Sequence, residues 1–214
     1  MPSVHQHVET VLRVIHAGAP PNGGDANTRL IHRSWHRCAT EHDLDPATGP
    51  DVRIETSSRL RECRQQVEEH LHVARAGMEQ LYKHVSELGY VVLLTDVAGV
   101  TLAFIGNDTS APSLSSAGLA LGANWNERHA GTNGVGTCIA EQSTIVCDRD
   151  DHFYSRHLGL SCACTPLHDP FGAFMGALDV SALASPDRCE SLHLVRRLTD
   201  LYSRMIEDAN FMRQ

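Results

Sequence analysis

No apolar stretch of this sequence approaches the roughly 20 residues that cross a bilayer as a helix. The polar opening from Met1 to Thr10 lacks the apolar core of a signal peptide. A cytoplasmic chain with no membrane partner is therefore expected. Basic side chains are also short in supply, 18 Lys and Arg against 26 Asp and Glu, for a net charge of -8. With no run of Lys or Arg to offset this, the chain itself is not expected to contact nucleic acid. Several enzyme fingerprints are missing as well. There is no G-x-x-x-x-G-K-[ST] loop, no H-E-x-x-H helix and no G-x-S-x-G turn. The stretch from Gly131 to Gly136 is glycine-rich, but it has no Lys and the wrong glycine order for a dinucleotide site. The seven Cys include no C-x-x-C pair, and in the cytoplasm they are expected as free thiols. No catalytic residue, cofactor or metal is assigned, and the chain reads as a non-enzyme.

What the sequence does contain is the composition of a packed domain: 214 residues, 42% hydrophobic and 21% charged. Fourteen His supply groups able to titrate at about pH 5 to 7. Ser3 and Gln6 suit a capping box ahead of Val8, Val11, Leu12 and Ile15 at helical spacing. A second helix after Asn27 carries Leu30, Ile31, Trp35 and Cys38. Val67, Leu71, Ala74, Met78, Leu81, Val85 and Leu88 then predict one unbroken heptad helix that stops at Gly89.

The period changes at Tyr90. Tyr90 to Leu94 reads as a strand buried on both faces, paired in a hairpin with the alternating Val100, Leu102 and Phe104. Asn107 to Thr109 suits a cap for a helix over 111–119. A helix near 137–142, a strand over 144–146 and a helical turn over 150–157 follow. Leu160 to Leu167 and Ala173 to Val180 form a second hairpin around Asp169 to Gly172. Ser185, with Pro186 behind it, suits the N-cap of a last helix, whose expected seam is Leu194, Leu198, Leu201, Met205 and Met212. The fold class is α+β: a central antiparallel sheet flanked by helices. Its segments are an N-terminal helical part (1–55), a long heptad helix (56–88), a strand-rich core (89–182) and a C-terminal helix (183–214). The helices are expected to pair with each other and with a second copy, giving a homodimer.

Two constellations stand out. In the run from Gly122 to Thr137, Trp125, Asn126, Thr132 and Asn133 would shape a small polar-lined pocket. Alternatively, Thr132 or Asn133 caps the next helix while the glycines make tight turns. Cys162 and Cys164 sit two apart on a strand and point to one face, with Cys138 and Cys147 nearby. They read first as small buried hydrophobes; a thiol-lined ligand pocket, a metal site or a redox site are the alternatives. His168 is expected on the same face, where it would supply a hydrogen bond. Asp148, Asp150, Asp151 and His152 read as turn capping. Asp169 reads as a turn residue and Asp179 as a strand-end residue without a partner for acid–base work.

Several ordered blocks resemble the acetoin catabolism regulators, sigma-54-dependent transcriptional activators. They are Ser34-Trp35-x-Arg37-Cys38, Leu44-Asp45-Pro46, Leu88 to Asp96 with Gly99, Gly122-Ala123-Asn124-Trp125-x-Glu127, Gly131 to Thr137, Asp151-His152-Phe153, Cys162, Pro166, Asp169, Gly172 and Gly176 to Ser181. The resemblance spans about residues 30 to 182. It implies a GAF fold with a ligand cavity on one face of the sheet and a role in sensing acetoin or another short ketone, alcohol or diol. Together with the two constellations above, the candidate ligand-binding set is Trp125, Asn126, Thr132, Asn133, Cys138, Phe153, Cys162, Cys164 and His168. It also implies that an AAA+ ATPase and a helix-turn-helix, which would meet DNA and sigma-54 RNA polymerase, belong to a longer parent regulator and lie outside this chain. Three positions depart from the family pattern: His168 in place of an apolar residue, the second thiol of Cys162-Ala163-Cys164, and Gln142-Ser143-Thr144 in place of Gly and Pro. A cysteine-based metal or redox sensor and a GAF-type methionine sulfoxide reductase are the competing functions.

Overall fold

The computed structural model describes residues 3–18, 25–107, 111–183 and 191–213. The chain opens with helices α1 (Val4–His16) and α2 (Ala26–Thr40), followed by a short strand β1 (Arg53–Ile54). The Ser3–Gln6 capping box forms. Next come helices α3 (Ser57–Gln66) and α4 (Glu68–Val85) and strands β2 (Val91–Thr95) and β3 (Thr101–Ile105). A mixed stretch holds α5 (Pro112–Ser116), β4 (Ala123–Asn124), α6 (Glu127–Ala130), α7 (Gly134–Glu141) and β5 (Ile145–Asp148). Short 3-10 turns lead to β6 (Leu160–His168), β7 (Phe174–Leu183) and the last helix α8 (Ser191–Phe211). The proposed cap over 107–109 lies largely, and the Ser185–Pro186 cap wholly, outside the described residues. None of the described helices is long and apolar enough to cross a membrane.

The fold is α+β. Five antiparallel strands in the order β3-β2-β7-β6-β5 make the central sheet, and β1 pairs with β4 in a separate two-stranded ribbon. The sheet is covered on both sides, so the two-residue alternation of its central strands feeds two cores. Val91 and Leu93 of β2, Cys162 and Cys164 of β6 and Ala177 of β7 join Trp35, Trp125, Cys138 and Phe153 in one core. Val92 and Leu94, Ala163 and Leu167, and Leu178, Val180 and Ala182 join Met78, Leu81, Val195 and Ile206 in the other. These are the α7 face and the α8 face below. Each fully buried Leu or Met contributes roughly 1.5–3 kcal/mol by leaving water.

Two helices differ from the sequence expectation. The long heptad helix is interrupted at Val67, whose φ of -128 and ψ of 23 end α3 and start α4 without a side-chain cap. The break turns Leu60, Val67 and Leu71 onto Cys63, Val100 and Leu102 in a small third core, which a straight helix would not follow. In α8 the buried line is Leu192, Val195, Thr199, Tyr202 and Ile206; of the expected seam, Leu198 packs half-buried on the same core, whereas Leu194, Leu201, Met205 and Met212 are exposed by 49–82%. Two heptad lines therefore run side by side on one helix. The one that faces the sheet includes Thr199, whose hydroxyl donates to the Val195 carbonyl at 2.8 Å and so loses its need for water.

Candidate functional site

Helix α2 fixes the geometry around α6 and α7. Arg37 grips the buried Glu127 carboxylate with two bonds, Nε to Oε2 at 2.6 Å and Nη2 to Oε1 at 3.0 Å, and reaches Glu141 at 3.0 Å. Such forked pairs hold orientation as well as charge. Ser34 donates to Glu127 at 2.5 Å and lies within hydrogen-bond distance of Thr132, at 2.6 Å, and Thr137, at 3.1 Å. Trp35 donates to the Asp151 carbonyl at 2.8 Å. The Ser34–Cys38 block is thus a clamp that seats α6 and α7 on the core.

Asn133 starts α7. Its Oδ1 accepts from the Gly136 amide at 2.8 Å, and its Nδ2 donates to the Trp125 and Gly131 carbonyls, both at 2.8 Å. Behind the first turn of α7 the helix comes very close to the sheet. A Cβ on Gly134 would stand 2.8 Å from Cys162 Cβ and 3.2 Å from Asp179 Oδ1, so only glycine fits there. Between them remains a cavity of about 10 Å³, room for about one water. Leu119, Trp125, Val135 and Leu160 form its apolar wall, and Asn133, Cys162, Asp179 and Ser181 supply the polar groups.

Asp179 is the unusual member. Its Oδ2 accepts from the Ser181 hydroxyl at 2.5 Å, whereas its Oδ1 has no hydrogen-bond partner. Burial pushes the carboxyl up to about 7, against smaller opposing pulls from the Ser181 hydroxyl and the neighbouring Cys164 thiol. Beyond Cys162 lies His152, with Nε2 3.7 Å from the sulfur and Nδ1 2.9 Å from the Arg149 carbonyl. Burial lowers His152 to about 4. His157, whose ring packs on Trp125, has no partner at either nitrogen and is lowered by burial to about 3. Both rings are neutral near pH 7.

The nine residues expected at the site separate into three groups. Trp125, Asn133 and Cys162 line the cavity, and for Asn133 both readings hold, cap and wall. Asn126 caps α6 from a half-buried position, Thr132 belongs to the Ser34 hub, and Phe153 packs on Gly131 in the core. Cys138 and Cys164 face each other just outside the cavity, with Cys164 also beside Asp179. His168 is on the other side of the sheet. A register shift at Leu167/His168 breaks the alternation at the end of β6, and Glu207 of α8 takes the His168 amide at 2.8 Å and Nδ1 at 3.2 Å. Sequence reasoning missed Asp179 and Ser181. The available signal was a carboxylate placed inside the apolar strand Ala177-Leu178-Asp179-Val180, where an ion has no reason to sit unless it is used.

The thiols point away from redox chemistry. The six described Cys are free and buried, and burial raises Cys38 to about 12 and Cys147, Cys162 and Cys164 well above the usual thiol range. A reactive or metal-binding Cys needs the opposite shift. Among the described residues, no three His, Cys, Asp or Glu side chains converge to hold a metal ion. On the α8 face a second cavity, of about 30 Å³, lies among Leu71, Leu94, Leu167, Met175 and Ile206. Its polar rim is already paired, His70 with Asn210 and His168 with Glu207.

Residues 15–198 match the family described as MimR, N-terminal domain. The acetoin catabolism regulatory protein of Cupriavidus necator is 40% identical over 211 residues, covering 97% of this chain and 32% of that protein. The acetoin dehydrogenase operon transcriptional activator AcoR of Bacillus subtilis is 30% identical over 163 residues, covering 73% of this chain and 26% of its own length. The chain thus spans about a third or less of these relatives. Among solved structures, the E. coli DhaR(N)–DhaL complex superposes with a TM-score of 0.73 at 17% identity, over 86% of this chain and 62% of that one, which is a likeness of fold. On the family match over residues 15–198, this chain belongs to the MimR N-terminal domain family, a regulatory domain and not an enzyme.

Proposed function

We propose that the chain is a GAF-type sensor of a small metabolite, acetoin or another short ketone, alcohol or diol, and that in the intact regulator it governs a sigma-54-dependent AAA+ ATPase and a helix-turn-helix. In this reading 89–182 is the sensor core, 1–55 and 56–88 brace it, and 183–214 carries the signal, all in the cytoplasm. The observation that carries the proposal is the small cavity behind α7, part apolar and part polar, on strands whose other face supports α4 and α8. Asp179 and Ser181 of β7 face the cavity, while Leu178, Val180 and Ala182 between and beside them pack on the α8 side. A ligand that shifts β7 is therefore felt by α8, and it transmits a signal only through its different affinity for the two arrangements.

The exposed line Leu194, Leu201, Met205 and Met212 of α8 fits a second copy of the chain, in a helical seam that continues toward the rest of the regulator. Burial keeps Cys38, Cys147, Cys162 and Cys164 protonated, which weighs against the metal, redox and sulfoxide-reductase alternatives at these thiols. Docking of a protein effector is the second reading, favoured by how little room the resting cavity has.

Native mass spectrometry and thermal-shift titration with acetoin, related short ketones, alcohols and diols, and Zn²⁺ test these readings. A dimer stabilised saturably by one organic compound supports the sensor. Stabilisation by metal alone would move the function to the cysteines, and no response at all would favour a protein effector.

A further inference from the structure

We propose that Asp179 is the ligand-anchoring residue of the sensor, and that the effector is a short aliphatic compound carrying a hydroxyl group, which donates its hydrogen bond to Asp179 Oδ1. This rests on the sensor reading and narrows it. Four observations lead there.

The carboxyl lies on the wall of a small cavity lined by buried residues and is 2% exposed. One oxygen is saturated by Ser181 and the other has no partner; a buried acceptor left in that state carries a desolvation cost that a ligand donor removes. No ion pair involves Asp179 among the described residues, so the acceptor is not there to neutralise a protein cation. Besides Ser181, the Cys164 thiol acts on the carboxyl as a donor, and a thiol is a weak one.

The rest of the cavity selects what brings the donor. Leu119, Val135 and Leu160 offer apolar surface and Trp125 a largely apolar ring, which suits a short alkyl skeleton. An ammonium group would also be drawn to a carboxylate, but its three N–H bonds need three acceptors. The other oxygens at the mouth of α7 already accept a hydrogen bond, Asn133 Oδ1 from the Gly136 amide and the Trp125 and Gly131 carbonyls from Asn133 Nδ2, so Asp179 Oδ1 stands out as the acceptor that has none. One unmatched acceptor fits one O–H. A ligand bearing only carbonyl groups brings no donor and leaves Oδ1 as it was. A four-carbon molecule exceeds the resting cavity, so the hydroxyl must be reached as Gly134 and Val135 lift from β6, which couples recognition to movement of α7.

The test compares molecules on one carbon skeleton by calorimetric titration of the full chain: 2,3-butanediol, acetoin, diacetyl and sec-butylamine. The wild type is expected to bind the diol and the hydroxyketone at least tenfold more tightly than the diketone or the amine. Asp179→Leu keeps the approximate shape and removes both acceptors; it should abolish this preference while leaving the weak diketone binding within a fewfold. Asp179→Asn, which retains a neutral acceptor, should fall between. Circular dichroism and melting curves establish that each variant is folded, and the preference among ligands, rather than affinity alone, separates an anchor from a merely structural residue. Should the four compounds bind the wild type with the preference unchanged in both variants, the anchor is wrong and the sensor stands. An amine or diketone preference in the wild type would overturn the hydroxyl assignment. If none of the four binds, the anchor and the short-metabolite reading fall together.

Discussion

The two faces of the central sheet are built from the same strands and differ in what they leave unpaired. The α8 face is a continuous apolar core of Met78, Leu81, Leu178, Val180, Val195 and Ile206, and His70 and His168 at its edge are paired with Asn210 and Glu207. The α7 face buries Glu127, Thr132, Asn133, His152, His157 and Asp179, and two of these, His157 and Asp179, keep polar atoms without partners. Apolar packing supplies stability without discrimination, whereas unmatched buried polar groups cost stability and can discriminate between ligands. The comparison assigns support to one face and selectivity to the other, and each assignment can be broken separately.

The largest effect should come from the clamp that holds the α7 face together. Arg37→Ala leaves the Glu127 carboxylate buried without its cation and should cost about 3–5 kcal/mol in denaturant unfolding, with α7 loosened. Leu178→Ala on the opposite face should cost about 2–5 kcal/mol while the order of ligand preference stays unchanged. A change in that order would show that the two faces are not separable.

Asp179 should behave in the reverse way. Its folded pKa of about 7 lies above the unfolded value near 3.9, so the folded state holds more protons between these limits. Its contribution is therefore most favourable below about pH 4 and declines as pH rises to about 7, by up to about 1.4 kcal/mol per pH unit. The melting temperature of Asp179→Leu relative to wild type should accordingly climb from pH 4 to 7 and then level off. A variant that is less stable at every pH would mean the carboxylate is a structural support. Hydroxyl ligands bind the ionised acceptor more strongly than the neutral one, so with a pKa of about 7 their affinity should rise from pH 6 to 8, by about tenfold at most. The facing groups, Cys162 and Cys164 on β6, Ser181 on β7 and the first turn of α7, add no proton in that window, because burial holds both thiols protonated. Asp151, raised by burial to about 7, titrates there too, and the pH dependence should persist in Asp151→Asn.

The smallest expected effect on monomer stability is at the outer line of α8. Leu201→Asp, at a position 53% exposed, should change the unfolding free energy by no more than about 0.5 kcal/mol and yet dissociate the dimer in sedimentation. An unchanged dimer would remove this line from the interface.

Much of the architecture was legible in the sequence. The Ser3 capping box, the doubly buried strand at Val91 to Leu94 and the hairpin around Asp169 follow from local pattern, and the structure has each. Three features depend on contacts between distant segments. The register shift that moves His168 to the α8 face is held by Glu207, and the break at Val67 by a core shared with Val100 and Leu102. Helix α8 offers two parallel heptad lines, and the leucine-rich one reads as the stronger although the line through Thr199 and Tyr202 is the one that is buried. At the site, Trp125, Asn133 and Cys162 were within reach because glycine, amide and thiol patterns mark them. Asp179 was passed over because alternation gives a residue's face and says nothing about whether its hydrogen bonds are met.

The close seat of Gly134 against Cys162 has a bearing on the threshold at which such a domain responds. On the sensor reading, a cavity with space for little more than a water admits a larger occupant only when α7 lifts, so binding would draw on the population in which it has. Its apparent affinity is the intrinsic affinity scaled down by that population. The tightness of one helix turn on one strand thus sets a concentration below which the domain stays silent. Replacing side chains along that contact would retune the dose at which it answers without changing which molecule it recognises.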